Sequence, residues 1–169
     1  MTETNFTKSF KKNLCNELNA YFNQKHMPLT AKTEHGVPTK YGMNFIDICV
    51  IQEGNSDALL GIEIEVISDA YQARTNRKKF RNLVHNSPNR WGGLMHIICI
   101  DANISNPQVL RLLRDSYYDL RQNKGFFYEF YALDIEDGRA SKTTATKLLR
   151  EDWEFEVRLL ALAHEVFDL

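Results

Sequence analysis

The chain has 169 residues, of which 43% are hydrophobic and 25% are charged, and its formal net charge is −1. These values are typical of one globular domain, residues 1–169, whose core needs no disulfide or structural metal. A nearly neutral chain has no overall positive field, which excludes a generally basic nucleic-acid-binding protein, so any such binding must come from local patches.

The cysteines and the hydropathy of the chain indicate a compartment. Cys15, Cys49 and Cys99 are widely spaced among apolar residues, which argues against a disulfide framework and against a cysteine-rich zinc site. No stretch approaches the roughly 18 apolar residues of a membrane span, and the first residues lack the apolar core of a signal peptide. The sequence therefore predicts a cytoplasmic protein without a membrane segment.

Two hydrophobic patterns divide the chain into helices and strands. Apolar residues spaced by three and four predict helices, and alternating or continuous apolar runs predict strands. In chain order these are a helix from Phe6 to Met27-Pro28, an extended segment at 29–37, strands at 44–51 and 58–67 joined as a hairpin, a helix at 71–85, a strand at 93–101, a helix opened by Asn106-Pro107, a strand at 126–135, and a long helix from Ser141 or Thr143 to about Phe167. This order predicts an α/β fold, a single mixed β-sheet flanked by helices.

The predicted hairpin can be given a register. If the loop is Gly54-Asn55-Ser56, the numbers of facing residues sum to 110, and one face becomes aliphatic. The facing pairs on that side are Val50 with Leu60, Ile48 with Ile62, and Ile46 with Ile64.

The other face of the hairpin collects three carboxylates. Asp47 lies opposite Glu63, and Glu65 lies diagonal to Asp47, because strand side chains alternate. Facing like charges repel, and a hard divalent cation such as Mg²⁺ or Mn²⁺ would compensate them. The alternative is a solvated polar face. Apolar residues on the same face favour partial burial: Phe45, Cys49, Ile51 and Ile67.

At these residues the chain resembles the PD-(D/E)xK, or restriction-endonuclease-like, nuclease superfamily. Its core is a helix, a strand, a hairpin carrying an Asp and then Glu-x-Lys, a helix and a further strand. Asp47 matches the first acid and Glu63-Ile64-Glu65 the second motif, with fifteen residues, 48 to 62, between Asp47 and Glu63. Glu65 replaces the usual lysine, which resembles the Glu-x-Glu minority, in which the last acid takes part in metal binding or proton transfer. A degenerate, inactive copy is the alternative.

The resemblance implies a restriction-endonuclease-like core and two further site residues. The superfamily often adds an acid from the first helix, and Glu17 beside the apolar stripe matches it. An ordinary surface glutamate is the alternative. Lys79 or Lys78, on the helix after the second motif, would supply the cation that Glu65 displaces.

The same helix, predicted at 71–85, carries a basic stripe. Arg74, Lys78, Arg81 and His85 fall on one side, with Gln72, Asn76 and Lys79 in the adjacent row. These residues could bind nucleic-acid phosphates. A solvated helix face is the alternative.

These observations predict a Mg²⁺-dependent endonuclease that hydrolyses DNA in restriction, phage defence or repair. Asp47, Glu63 and Glu65 would bind metal, and Glu65 and Lys79 would assist catalysis. The chain would act as a homodimer through its long last helix, where Leu149, Trp153, Leu160 and Phe167 share a stripe, or as a subunit of a larger defence or repair assembly. The alternative is a non-catalytic nucleic-acid-binding or protein-interaction module on the same fold.

Overall fold

A computed structural model of the chain describes residues 5–66, 78–85, 91–101, 107, 111, 114–115, 117–118, 126–135 and 142–169. The helices are α1 (Asn5–Gln24), α2 (Lys142–Arg150) and α3 (Trp153–Phe167), and the strands are β1 (Leu29–Thr39), β2 (Gly42–Gln52), β3 (Asn55–Val66), β4 (Trp91–Asp101) and β5 (Phe127–Ile135). Residues 78–85 are also helical and are called the 78–85 helix. Among all these residues, no helix is long and apolar enough to cross a membrane.

The five strands form one mixed sheet in the order β1-β2-β3-β4-β5. The pairs β1-β2 and β2-β3 are antiparallel, whereas β3-β4 and β4-β5 are parallel. The continuous apolar run of β4 suits a parallel strand that is buried on both faces. The predicted class, an α/β fold with a mixed sheet flanked by helices, is confirmed.

Both faces of the sheet carry an apolar core. On one face, α1, α2 and α3 pack over Ile48, Ile62 and Met95 in the first cluster. On the other face, Phe80 and Leu83 of the 78–85 helix pack in the second cluster. Its members on the sheet include Cys49, Leu59, Leu94 and Tyr128. Leu94 and Met95 are neighbours in different clusters because strand side chains alternate.

The hairpin register is confirmed in its central part. Ile48 pairs with Ile62 and Val50 with Leu60, and these four residues belong to the first cluster. The predicted pairing of Ile46 with Ile64 is wrong. Ile46 packs instead with Val37 in the second cluster.

The change of side at Ile46 coincides with an unusual backbone position in β1. Glu34 has φ 55, in the left-handed region that ordinary strand residues avoid. It lies between the two β1 residues that pair with Ile46 and Ile48. The pairing of β2 with β3 ends at Ile48 and Ile62, so β2 leaves β3 at Asp47.

The turn of the hairpin is also tighter than predicted. Gln52 pairs with Asn55, so the loop is Glu53-Gly54, and a register shift follows at Ile51. Gly54 has φ 77, which glycine adopts without steric cost. This shift restores the predicted register beyond the turn. The central pairs are therefore as predicted, although the predicted loop is wrong.

The predicted long carboxy-terminal helix is wrong, because the chain forms two helices there. Asp152 has extended backbone angles, and its side chain accepts the N–H of Phe155 at 3.0 Å, which is an N-cap for α3. Because of this break, the residues of α3 do not continue the apolar stripe that was predicted for one long helix. Trp153 is consequently 74% exposed, whereas Leu149 and Phe167 are buried.

Gly93 allows β4 to approach β5 and α3. A Cβ at this position would lie 2.8 Å from the carbonyl oxygen of Phe127 and 3.0 Å from Val166 Cγ2. We expect Gly93→Ala to lower the free energy of unfolding by about 1–3 kcal/mol, because backbone atoms must move. Gly36→Ala is the matched control, since its nearest neighbour is the flexible side chain of Met43 at 3.0 Å. Urea unfolding checks this, and equal losses in both variants would contradict the packing argument.

Candidate functional site

Asp47 and Glu63 meet at the point where β2 leaves β3. Asp47 Oδ2 accepts the backbone N–H of Ile64 at 2.9 Å, and the N–H of Asp47 is donated to Glu63 Oε2 at 3.4 Å. Side-chain carboxylates thus take backbone donors in place of ladder hydrogen bonds. The structure brings together the two acids that the hairpin register predicted as opposites.

Glu63 is costly to ionise in this position. It is only 7% exposed. The pKa of Glu63 is raised to about 7, because burial and the negative charge of Asp47 together outweigh the opposing effect of Lys79. The two acids therefore repel each other, and Lys79 offsets part of that repulsion.

Two lysines flank the acids. Lys79 of the 78–85 helix forms an ion pair with Glu63. Lys11 of α1 is 5% exposed, forms an ion pair with Glu34, and has its Nζ 3.6 Å from Asp47 Oδ1. Lys79 is one of the two lysines that the sequence predicted as a cation beside the acids, and its role in catalysis stays a prediction. Lys11 was missed, although it lies three residues before Leu14 on the apolar side of its helix.

Glu65 has a different set of partners. Its Oε2 lies 2.7 Å from His96 Nε2, and His96 Nδ1 lies 2.9 Å from the hydroxyl of Tyr128. Glu65 is 7% and His96 2% exposed. Glu65 Oε1 is buried and has no hydrogen-bond partner among the described residues.

His96 was not recognised in the sequence as a site residue. The signal was present, because it is a single polar residue in the apolar strand GLMHIICID. A polar side chain in a strand that is buried on both faces must find hydrogen-bond partners. Its ring also packs edge-on against Phe80, with centroids 4.9 Å apart.

The other predicted site residues are placed as follows. Glu17 has its Oε2 3.3 Å from Arg150 Nη2, an ion pair between α1 and α2. Lys78, Arg81 and His85 are exposed on the 78–85 helix. Gln72, Arg74 and Asn76 lie outside the described residues. The roles predicted for Glu17 and the basic stripe therefore stay predictions.

The oxygen donors at this site suit a hard divalent cation. Asp47 and Glu63 are adjacent carboxylates whose charges repel, and Glu65 Oε1 is a buried acceptor without a partner among the described residues. In the described parts of the chain, no three His, Cys, Asp or Glu side chains converge as a ready-made metal site. Mg²⁺ commonly uses only one or two carboxylates together with water and substrate phosphates, so the residues fit it.

Comparisons with known proteins do not assign the chain to a family. No protein-family model matches it, and no curated protein is significantly similar in sequence. The function must therefore be argued from the site.

Proposed function

We propose that this protein is a Mg²⁺-dependent endonuclease that hydrolyses phosphodiester bonds in DNA. The observation that carries the proposal is the contact of Asp47 with Glu63 where β2 leaves β3. Two facing acids, one of them buried, destabilise a sheet unless a cation offsets their repulsion. The spacing of Asp47 and Glu63-Ile64-Glu65 also resembles the PD-(D/E)xK superfamily in its Glu-x-Glu form.

Each site residue has a role in this proposal. Asp47 and Glu63 would hold Mg²⁺ or Mn²⁺, and Glu65 offers a third oxygen through Oε1. When bound, the metal supplies Lewis-acid stabilisation of a phosphoryl oxygen and activation of water. Lys79 keeps a positive charge beside Glu63, where it would face the negative charge that develops on a phosphate. Lys11 places a positive charge 3.6 Å from Asp47 Oδ1.

The 78–85 helix would contact the DNA backbone. Lys78 and Arg81 are exposed on the helix that carries Lys79, and they would bind phosphates near the acids. Arg74 and Gln72 would extend this surface towards the start of the predicted helix. Such contacts position the substrate without reading its sequence.

One site cuts one strand, so cleavage of both strands of duplex DNA would require two copies of the chain. We propose a homodimer, since closed two-fold dimers are the commonest soluble oligomers. A place as the nuclease subunit of a larger defence or repair assembly would meet the same need. We place the protein in the cytoplasm, where its three buried free cysteines would stay reduced.

Incubation with supercoiled plasmid, single-stranded and branched DNA tests the activity. We expect cleavage of at least one of these substrates in Mg²⁺ or Mn²⁺ and none in EDTA, because the acids need a cation to act on a phosphate. Products are separated on denaturing gels. Cleavage that persists in EDTA would contradict the proposal, and so would intact DNA in every sample containing metal.

A non-catalytic nucleic-acid-binding or protein-interaction module is the second candidate. It is favoured by the two lysines, because Lys79 pairs with Glu63 and Lys11 lies near Asp47, so protein cations already offset part of the acid charge. Calorimetry with Mn²⁺ separates the two candidates. Binding that is lost in Asp47→Asn supports the nuclease, and no binding up to several millimolar supports the module.

A further inference from the structure

Glu65 is a buried carboxylate whose two oxygens are treated differently. Oε2 is 2.7 Å from His96 Nε2, and Oε1 has no hydrogen-bond partner among the described residues. An unsatisfied buried acceptor destabilises the fold, and more so when it carries charge. A cation bound at Oε1 would satisfy the oxygen that has no hydrogen bond, while Oε2 keeps its own.

His96 forms a hydrogen bond through each of its ring nitrogens. Burial raises the pKa of the Tyr128 phenol, and the charge of Glu65 raises it further, so the hydroxyl keeps its proton. A carboxylate only accepts hydrogen bonds, so the ring nitrogen that faces Glu65 is the donor, and Nε2–H donates to Oε2. The Tyr128 hydroxyl, which can donate or accept, holds Nδ1 on the other side of the ring.

The three groups are held by adjacent strands. Glu65 is on β3, His96 on β4 and Tyr128 on β5, and these strands are joined by continuous parallel pairing. His96 is also the register partner of Glu63 on the neighbouring strand. Phe80 covers the ring from the 78–85 helix. The ring of His96 is thus held by contacts with Glu65, Tyr128 and Phe80.

We propose that His96, oriented by Tyr128, is a positioning residue that holds Glu65 by Oε2 and leaves Oε1 to bind the divalent metal. The inference rests on the proposed function, because it concerns the same metal. A ring nitrogen that orients a carboxylate ligand acts without touching the metal, and loss of such a partner typically weakens metal binding by roughly 10- to 100-fold.

Mn²⁺ affinity measured by calorimetry tests this role without an activity assay. His96→Met keeps an apolar side chain against Phe80 but removes both hydrogen bonds, and we expect it to weaken Mn²⁺ binding by roughly 10- to 100-fold. His96→Gln is the conservative control, because its amide supplies a donor for Glu65 and an acceptor for Tyr128. We expect His96→Gln to retain most of the affinity.

Tyr128→Phe is a second variant that leaves His96 in place. It removes only the hydroxyl that holds Nδ1 of the ring, so its loss of Mn²⁺ affinity should be smaller than that of His96→Met. Thermal unfolding without metal checks that each variant is folded. If His96→Met does not fold, the comparison of Tyr128→Phe with the unaltered protein still decides the question, and equal affinities would overturn the inference.

The outcomes separate the inference from the proposed function. Binding that is lost in Asp47→Asn and in His96→Met, but rescued in His96→Gln, supports both. Binding that is lost in Asp47→Asn and unchanged in His96→Met overturns the positioning role and leaves the nuclease proposal intact. If the unaltered protein does not bind Mn²⁺ at several millimolar, both are overturned.

Discussion

Asp47→Asn and Glu63→Gln should each reduce DNA cleavage in Mg²⁺ by roughly 10³-fold or more. Metal-ion catalysis contributes several kcal/mol to transition-state stabilisation, and each 1.36 kcal/mol corresponds to a factor of ten in rate. The amides keep an oxygen for the backbone donors that Asp47 and Glu63 now bind, so the hairpin should persist. The loss should therefore come from the missing negative charge rather than from unfolding.

Initial rates of plasmid cleavage measure this effect, with the metal in large excess. Glu165→Gln is the matched control, because Glu165 is an exposed acid on α3 and its substitution removes the same charge elsewhere. Circular dichroism confirms that all three variants are folded. If Asp47→Asn and Glu63→Gln cut as fast as Glu165→Gln, these acids do not carry the activity.

Glu63→Gln should also stabilise the metal-free protein at pH 8 by a few kcal/mol. The pKa of Glu63 is about 7 in the fold, against an ordinary value of 4.5. Between these values the folded chain holds a proton that the unfolded chain has released, so stability falls as pH rises through that window. The difference corresponds to about 3 kcal/mol above pH 7, which the neutral amide should recover.

Urea unfolding in EDTA at pH 5 and pH 8 measures this prediction. The unaltered protein should lose stability between the two pH values, and Glu63→Gln should lose much less. Glu165→Gln controls for the overall change in charge and should follow the unaltered protein. A parallel loss of stability in all three proteins would show that Glu63 is not ionised at a cost.

The two effects of Glu63→Gln have opposite signs, and this is the mark of a functional site. Replacing a residue that only supports the fold makes the protein less stable. Replacing Glu63 by glutamine is expected to make the protein less active but more stable. Charged groups that repel each other persist when a ligand makes use of them. The lysines soften the repulsion, since Lys79 is paired with Glu63 and Lys11 lies near Asp47.

Much of the fold could be predicted because its signals are local. Apolar periodicity indicated the first helix and the β-branched runs indicated the hairpin strands, and the structure contains both. The register that pairs Ile48 with Ile62 followed from alternation, since a slip by one residue would expose the whole aliphatic face. The contact between Asp47 and Glu63 followed from that register.

The errors arose where a side chain or a distant strand overrides a local pattern. Asp152 caps α3 and interrupts a pattern that reads as one continuous helix. Glu34 has a left-handed backbone conformation beside the point where Ile46 packs in the second cluster instead of the first. Neither event changes hydrophobic periodicity, so neither could be predicted from it.

The partners of the acids depend on residues far apart in the chain. Lys79 or Lys78 was expected beside the acids because the helix predicted at 71–85 begins soon after Glu65, and Lys79 pairs with Glu63. His96 and Tyr128 reach Glu65 only because β4 and β5 lie beside β3 in parallel, an order that no local pattern specifies. The pattern of the sequence was thus sufficient to place the acids. The packing of distant strands decided which side chains contact each acid, because hydrogen bonds across a sheet depend on the order of its strands.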